Sequence, residues 1–249
     1  FLGYMGTVKG KSPLTVEEYF MDLRTFFRYM KQHRNQVPQD IPFDEISIDD
    51  IDLEFIKTIT LTDVYEYMNF VSTQRKNKAT TRSRKVSSLR TYFQYLTNKV
   101  NKLEHNPITE LETPKTKKSL PKYLTLEQSM DLLNAVEGPY QSRDYCIITL
   151  FLNCGMRLAE LININLSDFR DDTIRITGKG GKERIVYLNE SCKQALSHYI
   201  QARRALPHLV DTDALFVSKR TGKRLTARRV EQIVESCLKN AGLSGKGFS

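Results

Sequence analysis

Apolar residues recur at helical spacing through most of the chain. In the first such stretch Val16, Tyr19, Phe20, Leu23, Phe26, Phe27 and Met30 share one helical face. Its start is marked by Ser12-Pro13, with proline near the first helical position, or by a capping box of Thr15 with Glu18. The stripe predicts a buried face, while Arg24, Arg28 and Lys31 lie off it, free to meet a partner. Residues 33–46 hold two prolines and predict a loop. A short helix is predicted from Ser47 to Lys57. The next is capped by Thr60 or Thr62 and buries Val64, Tyr67, Met68 and Val71. A longer one starts after Thr80 or Thr81, runs to Lys99 and buries Val86, Leu89, Phe93 and Leu96. Asn106-Pro107 closes this series.

The pattern then breaks. Residues 113–122 carry Pro114 and Pro121, which keep helices on either side from running through. They read as a linker between a first domain, 1–112, and a second, 123–249. Thr125 and Gln128 form a second candidate capping box, opening a helix through Val136. Ser142 opens the next. It carries Tyr145, Ile147, Ile148, Leu150, Phe151 and Leu152, so it is apolar nearly all round and predicted central. Gly155 ends it, and a new helix begins near Arg157. Ile174 and Ile176, then Ile185 and Tyr187, alternate with polar neighbours and predict a hairpin with a glycine-rich tip. A helix from Ser191 to Leu206, a third short strand at Leu215-Phe216-Val217, and a helix from Thr226 to Asn240 stopped by Gly242 complete the pattern.

The 249 residues are 40% hydrophobic, enough for a core in each of two domains. No apolar run reaches the roughly 20 residues of a membrane span, and no signal-peptide pattern opens the chain. The expected location is the cytoplasm, in association with the nucleoid. Cys146, Cys154, Cys192 and Cys237 are widely spaced and read as reduced core residues. The four histidines show no metal spacing, so neither metal nor cofactor is expected. The chain starts at Phe1 and stops at Gly247-Phe248-Ser249, and is expected to be part of a longer protein.

Net charge is +9, which favours an anionic partner. From Val71 to Arg90 there is no acid but seven cations: Arg75, Lys76, Lys78, Arg82, Arg84, Lys85 and Arg90. A surface shaped only for solubility mixes signs, so this run predicts a DNA-backbone surface. Lys115, Lys117 and Lys118 in the linker are candidates for phosphates too. So are Lys223 and Arg224, beside the Thr221-Gly222 turn, and Arg228, in the first turn of the last helix. There Arg228 and Arg229 oppose the helix dipole, and a bound phosphate would offset that cost.

Two motifs stand out. Gly155-Met156-Arg157-Leu158-Ala159-Glu160-Leu161 places an arginine just after a turn. Gly178-Lys179-Gly180-Gly181-Lys182-Glu183-Arg184 places lysines on a hairpin tip. Cations on short, defined backbone suit a phosphate ligand. Local physics does not choose between Lys179 and Lys182.

In this order and at this gap the two motifs resemble the tyrosine recombinase family, most closely its Xer-type members, over nearly the whole chain. The resemblance implies a mainly α fold of two domains. The first is an N-terminal helical bundle of the SAM-like core-binding type. The second is an α-rich catalytic domain with a small three-stranded antiparallel sheet, incomplete at its C-terminus. It implies site-specific recombination of duplex DNA through a 3′-phosphotyrosine link, serving chromosome dimer resolution or mobile-element integration. By resemblance Arg157 clamps the scissile phosphate, Lys179 protonates the leaving oxygen and Glu160 supports Arg157. Lys182 and Arg184 are placed on DNA. The longer protein would act as a homo- or hetero-tetramer on two DNA sites. The family also needs a His-x-x-Arg segment and a nucleophilic tyrosine after it, and neither is found here. The chain is therefore expected to bind DNA without cutting it. A DNA-binding module with no chemistry is the main rival, and an RNA-binding protein a weaker one.

Overall fold

Side-chain caps decide where most elements begin. The structure is a computed structural model that describes residues 1–38, 40–115 and 122–245. It divides into two units, Phe1–Ser119 and Leu120–Ser249.

In the first unit α1 (Pro13–His33) is capped by Ser12, whose hydroxyl accepts the Thr15 N–H, so Ser12 rather than Thr15 is the cap. Asp52 caps α2 (Leu53–Lys57). This helix is shorter than expected, because Ser47–Ile51 stays non-helical and Asp52 supplies the first cap. Thr60, not Thr62, caps α3 (Leu61–Thr73) in a reciprocal box with Asp63. Helix α4 (Ala79–Asn98) begins at Ala79, ahead of the predicted threonines, with Lys78 at the cap position and no side-chain cap. Phe26, Met30, Tyr67, Val86, Leu89 and Phe93 form the core, each almost wholly buried. The α1 stripe is buried only in its second half, since Phe20 is exposed. On α3, Phe70 is buried where Met68 was expected.

A turn over Tyr4–Val8, unforeseen from the pattern, buries Met5, and Phe1 meets the rings of Tyr19, Tyr92 and Tyr95. Two of the off-stripe cations turn out to be structural. Lys31 is buried against Asp50 at 2.7 Å, and Arg28 donates to the Ile46 carbonyl at 2.8 Å.

In the second unit the Thr125–Gln128 box opens α5 (Leu126–Asn134) as expected. Helix α6 (Gln141–Cys154) starts at Gln141, one turn position before Ser142, and packs along α8 (Glu190–Arg204). Between them in sequence lie α7 (Leu158–Ile162) and a sheet of β1 (Phe169–Arg170), β2 (Thr173–Thr177) and β3 (Glu183–Tyr187). All its pairings are antiparallel, in the order β1-β2-β3. Thr226 caps the last helix, α9 (Ala227–Asn240).

The fold is mainly α with one small three-stranded antiparallel sheet, but its third strand is β1 and not Leu215-Phe216-Val217. That segment is buried, and its backbone is tied elsewhere: Leu215 N–H to the Ile164 carbonyl, and Leu225 N–H to the Phe216 carbonyl. The face assignment of β3 is also corrected. Ile174 pairs with Val186 and Ile176 with Arg184, so Arg184 and Val186 turn inward while Ile185 and Tyr187 are exposed. No described helix is long and apolar enough to cross a membrane.

Candidate functional site

Helix α6 must stop before Arg157 for this arginine to reach the surface. Gly155 does this by adopting φ 55, the left-handed conformation that costs glycine little. The chain then extends, and Arg157 becomes the cap residue of α7. Glu160, at the third helical position, turns its carboxylate back. Its Oε2 accepts the Arg157 N–H at 2.9 Å, and its Oε1 accepts Arg157 Nη1 at 2.9 Å. The contact expected at i+3 is present.

The same carboxylate receives a second arginine. Arg184 on β3 donates Nη1 to Oε1 at 2.9 Å and Nη2 to Oε2 at 2.8 Å, a fork matched to the two oxygens. Glu160 is 5% exposed. Its pKa is held down to about 2, chiefly by the Arg184 hydrogen bonds. Burial pushes the other way, and the Arg157 N–H and guanidinium add to the lowering. Two guanidiniums thus share one carboxylate, leaving one positive charge in excess. The Arg157 side chain is 77% exposed, so its remaining donors face solvent.

The hairpin tip is anchored at the same point. Gly178 donates to the Lys182 carbonyl at 2.7 Å, and Lys179–Gly181 form a tight turn above that bond with Gly180 at φ 75 and Gly181 at φ 73. A Cβ on Gly178 would stand 3.2 Å from Glu160 Oε1. The base of the lysine-bearing tip therefore rests on the carboxylate that holds Arg157. The side chain of Lys179 lies outside the described residues, as do Lys117 and Lys118. Lys182 is exposed. Arg157 also lines a groove of about 790 Å³ together with Arg228, over an apolar floor that includes Leu152, Met156 and Val234.

Several sequence-predicted DNA cations have internal partners instead. Lys85 is buried and pairs with Asp22 at 3.0 Å. Arg84 joins the same carboxylate at 2.6 Å and also pairs with Glu18. Arg75 pairs with Asp44 at 3.5 Å and lies over the Phe43 ring. Arg82 donates to the Asn77 carbonyl, and Arg90 to Leu111 and Thr113. Arg224 donates to the carbonyls of Ile162 and Ile164 and pairs with Asp211. Arg184, expected on DNA, is the partner of Glu160. Arg228 pairs weakly with Glu231 at 3.4 Å, which offsets the dipole cost without a phosphate. Of the predicted DNA cations, those exposed and without an ion pair among the described residues are Lys76, Lys78, Lys115, Lys182 and Lys223. In the first unit His33, Asp63 and Glu66 bring three potential metal donors within 4.8 Å, although Arg34 already holds Asp63 at 3.0 Å.

Sequence reasoning missed the Arg184–Glu160 pair. Its one signal was the basic residue ending the tip motif, which carried no indication of a partner 24 positions earlier.

Residues 122–249 match the model of the phage integrase family. The tyrosine recombinase XerC of Caldanaerobacter subterraneus subsp. tengcongensis is 48% identical over 249 residues, covering 100% of this chain and 70% of that protein. The XerC of Thermodesulfovibrio yellowstonii is 31% identical, covering 99% and 76%. Among solved structures, XerH site-specific recombinase bound to its difH substrate superposes with a TM-score of 0.69 at 23% identity, covering 92% of this chain and 64% of that one. A lambda integrase dimer bound to a COC′ core site gives 0.64 at 17%, covering 95% and 60%. With the arginine turn and the glycine-tipped hairpin joined through Glu160, the chain belongs to the phage integrase family and is a tyrosine recombinase of the Xer type.

Proposed function

We propose that this chain grips a phosphate of duplex DNA with Arg157 and presents Lys179 beside it, supplying the positioning part of a site-specific recombination reaction. The observation that supports this is the shared Glu160 carboxylate, which ties the start of α7 to the base of the hairpin. In the family's reaction a tyrosine attacks the scissile phosphate, forms a 3′-phosphotyrosine and releases a 5′-hydroxyl. Charge develops on the non-bridging oxygens as the tyrosine attacks and before the 5′-oxygen has left. The solvent-facing donors of Arg157 are preorganised to meet it, because Glu160 fixes the backbone and one edge of the guanidinium. Lys179 on its short tip is the proton donor to the leaving 5′-oxygen. Arg184 acts through Glu160 as a positioning residue rather than on DNA.

The nucleophile is a separate matter. These 249 residues contain no His-x-x-Arg. Tyr199 is buried, its oxygen accepts the Val217 N–H at 3.2 Å, and burial pushes its pKa up to about 12. Tyr187 is on the face of β3 opposite Arg184. Neither of these two tyrosines, which are the ones that follow Lys179, is presented to the Glu160 site, and on this reading the chain alone binds duplex DNA without breaking it. The DNA-bound relatives support the partner, and a lambda integrase tetramer on a Holliday junction supports assembly with further recombinase copies.

The test is a band shift on duplex DNA across a salt series, paired with a nicked substrate that traps covalent intermediates. The expected result is a slope of about −0.9 per neutralised phosphate in log affinity against log salt, with no protein–DNA adduct. A slope near zero overturns phosphate-led binding. An adduct overturns the assignment of the tyrosines.

A further inference from the structure

The end of α6 and the first turn of α8 meet beside the Arg157 turn, and each brings a cysteine. Cys154 is the last residue of α6, three before Arg157, and Cys192 lies in the first turn of α8. Their sulfurs are 3.9 Å apart. A second link holds the same two helix ends together: Asn189 Nδ2 donates to Asn153 Oδ1 at 2.8 Å, while Asn189 Oδ1 caps the Cys192 N–H at 2.9 Å. Cys192 is fully buried, and Cys154 is partly open to solvent.

We infer that Cys154 and Cys192 are an oxidisable dithiol pair, whose disulfide joins the end of α6 to the start of α8 next to the Arg157 turn. The sulfurs need to close from 3.9 Å to about 2.05 Å, within reach of side-chain rotation and a small shift of the last, partly exposed turn of α6. The co-reactant is a hydroperoxide. Either sulfur can donate to the other across this contact, and Cys154 is the one that solvent reaches, so its thiolate meets the oxidant. The Cys154 thiolate attacks a peroxide oxygen, the O–O bond breaks, and the departing hydroxide takes the Cys192 proton as water. The Cys192 thiolate then attacks the sulfur of the Cys154 sulfenic acid and displaces hydroxide. Two thiols lose two electrons and the peroxide gains them. Cys146 and Cys237 have pKa values raised first by burial and stay as thiols.

The chemistry stands apart from the DNA reading, so the test needs no DNA. The whole 249-residue chain is treated with an equimolar amount of hydrogen peroxide, alkylated after unfolding, digested with trypsin and weighed. Cys146 and Cys154 share one tryptic peptide, so fragmentation assigns the bridge. The expected product has lost two hydrogens, links Cys154 to Cys192 and is reversed by dithiothreitol, with Cys146 and Cys237 alkylated. Four alkylated cysteines, a sulfinic acid without a link, or a link through Cys146 or between chains overturns the pair. C154S and C192S should each abolish the link and C237S should leave it. A link that survives C192S, or is lost in C237S, also overturns it. The wild-type measurement decides the matter if a variant fails to fold.

Discussion

Removing the Glu160 carboxylate leaves two guanidiniums facing each other with nothing between them. The pair is strongly pH-dependent in a definite direction. The folded pKa is depressed from 4.5 to about 2, so the stabilisation is fully present above the unfolded value. It is lost as pH falls from 4.5 toward 2, because the unfolded carboxylate protonates first. The shift corresponds to about 3 kcal/mol. Glu160→Gln keeps the shape but not the charge. It should be less stable than the parent by about 2–3 kcal/mol at neutral pH and converge with it near pH 2. Urea midpoints at pH 7, 4 and 2.5 check this, and a gap that does not narrow with acid removes the carboxylate from its central place. Gly178 offers a gentler probe. Its Cβ would stand 3.2 Å from Glu160 Oε1 and 3.4 Å from the Lys182 carbonyl, so Gly178→Ala must push the tip away. A loss of about 1 kcal/mol with a weaker grip on DNA is expected, read from melting and band shift together. At this scale the contact between Arg157 and Glu160 was legible, because residues three apart meet at a helix start, while their choice as site residues came from the resemblance. It concealed the role of Arg184, because its partner comes from another element.

Four helix starts were legible from their caps, while Asp52 and Asn189, which cap α2 and α8, were passed over for Ser47 and Ser191. Ser12, Thr60, Thr125 and Thr226 each accept a backbone N–H at a helix start. The faces of β3 were not. Arg184, Ile185, Val186 and Tyr187 put an apolar residue on both sides, so alternation alone gave the wrong parity. A slip of one residue inverts every side chain. The tertiary tie decides it, since Arg184 must turn inward to reach Glu160, sending Ile185 and Tyr187 outward. The α1–α4 contact shows the same dependence. Asp22 on α1 is 1% exposed and accepts Lys85 at 3.0 Å, Arg84 at 2.6 Å and Ser88 at 2.7 Å, all from α4. Asp22→Ala strands the buried Lys85 charge and should cost about 3–5 kcal/mol. Asp22→Leu combined with Lys85→Met replaces the pair by apolar volume and should restore most of it. Denaturant midpoints of the two variants decide the point. If both lose stability equally, the ion pair is not what joins the helices.

Across the molecule, 38 basic residues against 29 acidic give the excess of +9, but the excess says little about where DNA is held. The run from Val71 to Arg90 contains no acid, yet acids reach it from 31 and 62 positions away, Asp44 for Arg75 and Asp22 for Arg84. Fold-level pairing, invisible in a window of sequence, sorts its cations into those with an internal partner, of which Arg75 and Arg84 stay partly exposed, and those with no ion pair among the described residues. Lys76 and Lys78 are exposed and have no ion pair among the described residues, whereas Lys85 is buried. If phosphates are held by the open set, Lys76→Ala and Lys78→Ala should each reduce the salt slope of DNA binding by about 0.9, whatever the DNA sequence. The Asp22→Leu, Lys85→Met variant removes a lysine from the same run and should leave the slope unchanged, because that charge never faced solvent. Equal changes in all three variants would mean that net charge alone drives binding. No change in the two surface variants would move the DNA path away from this run. Among the described residues, Lys115, Lys182 and Lys223 are then the next to replace.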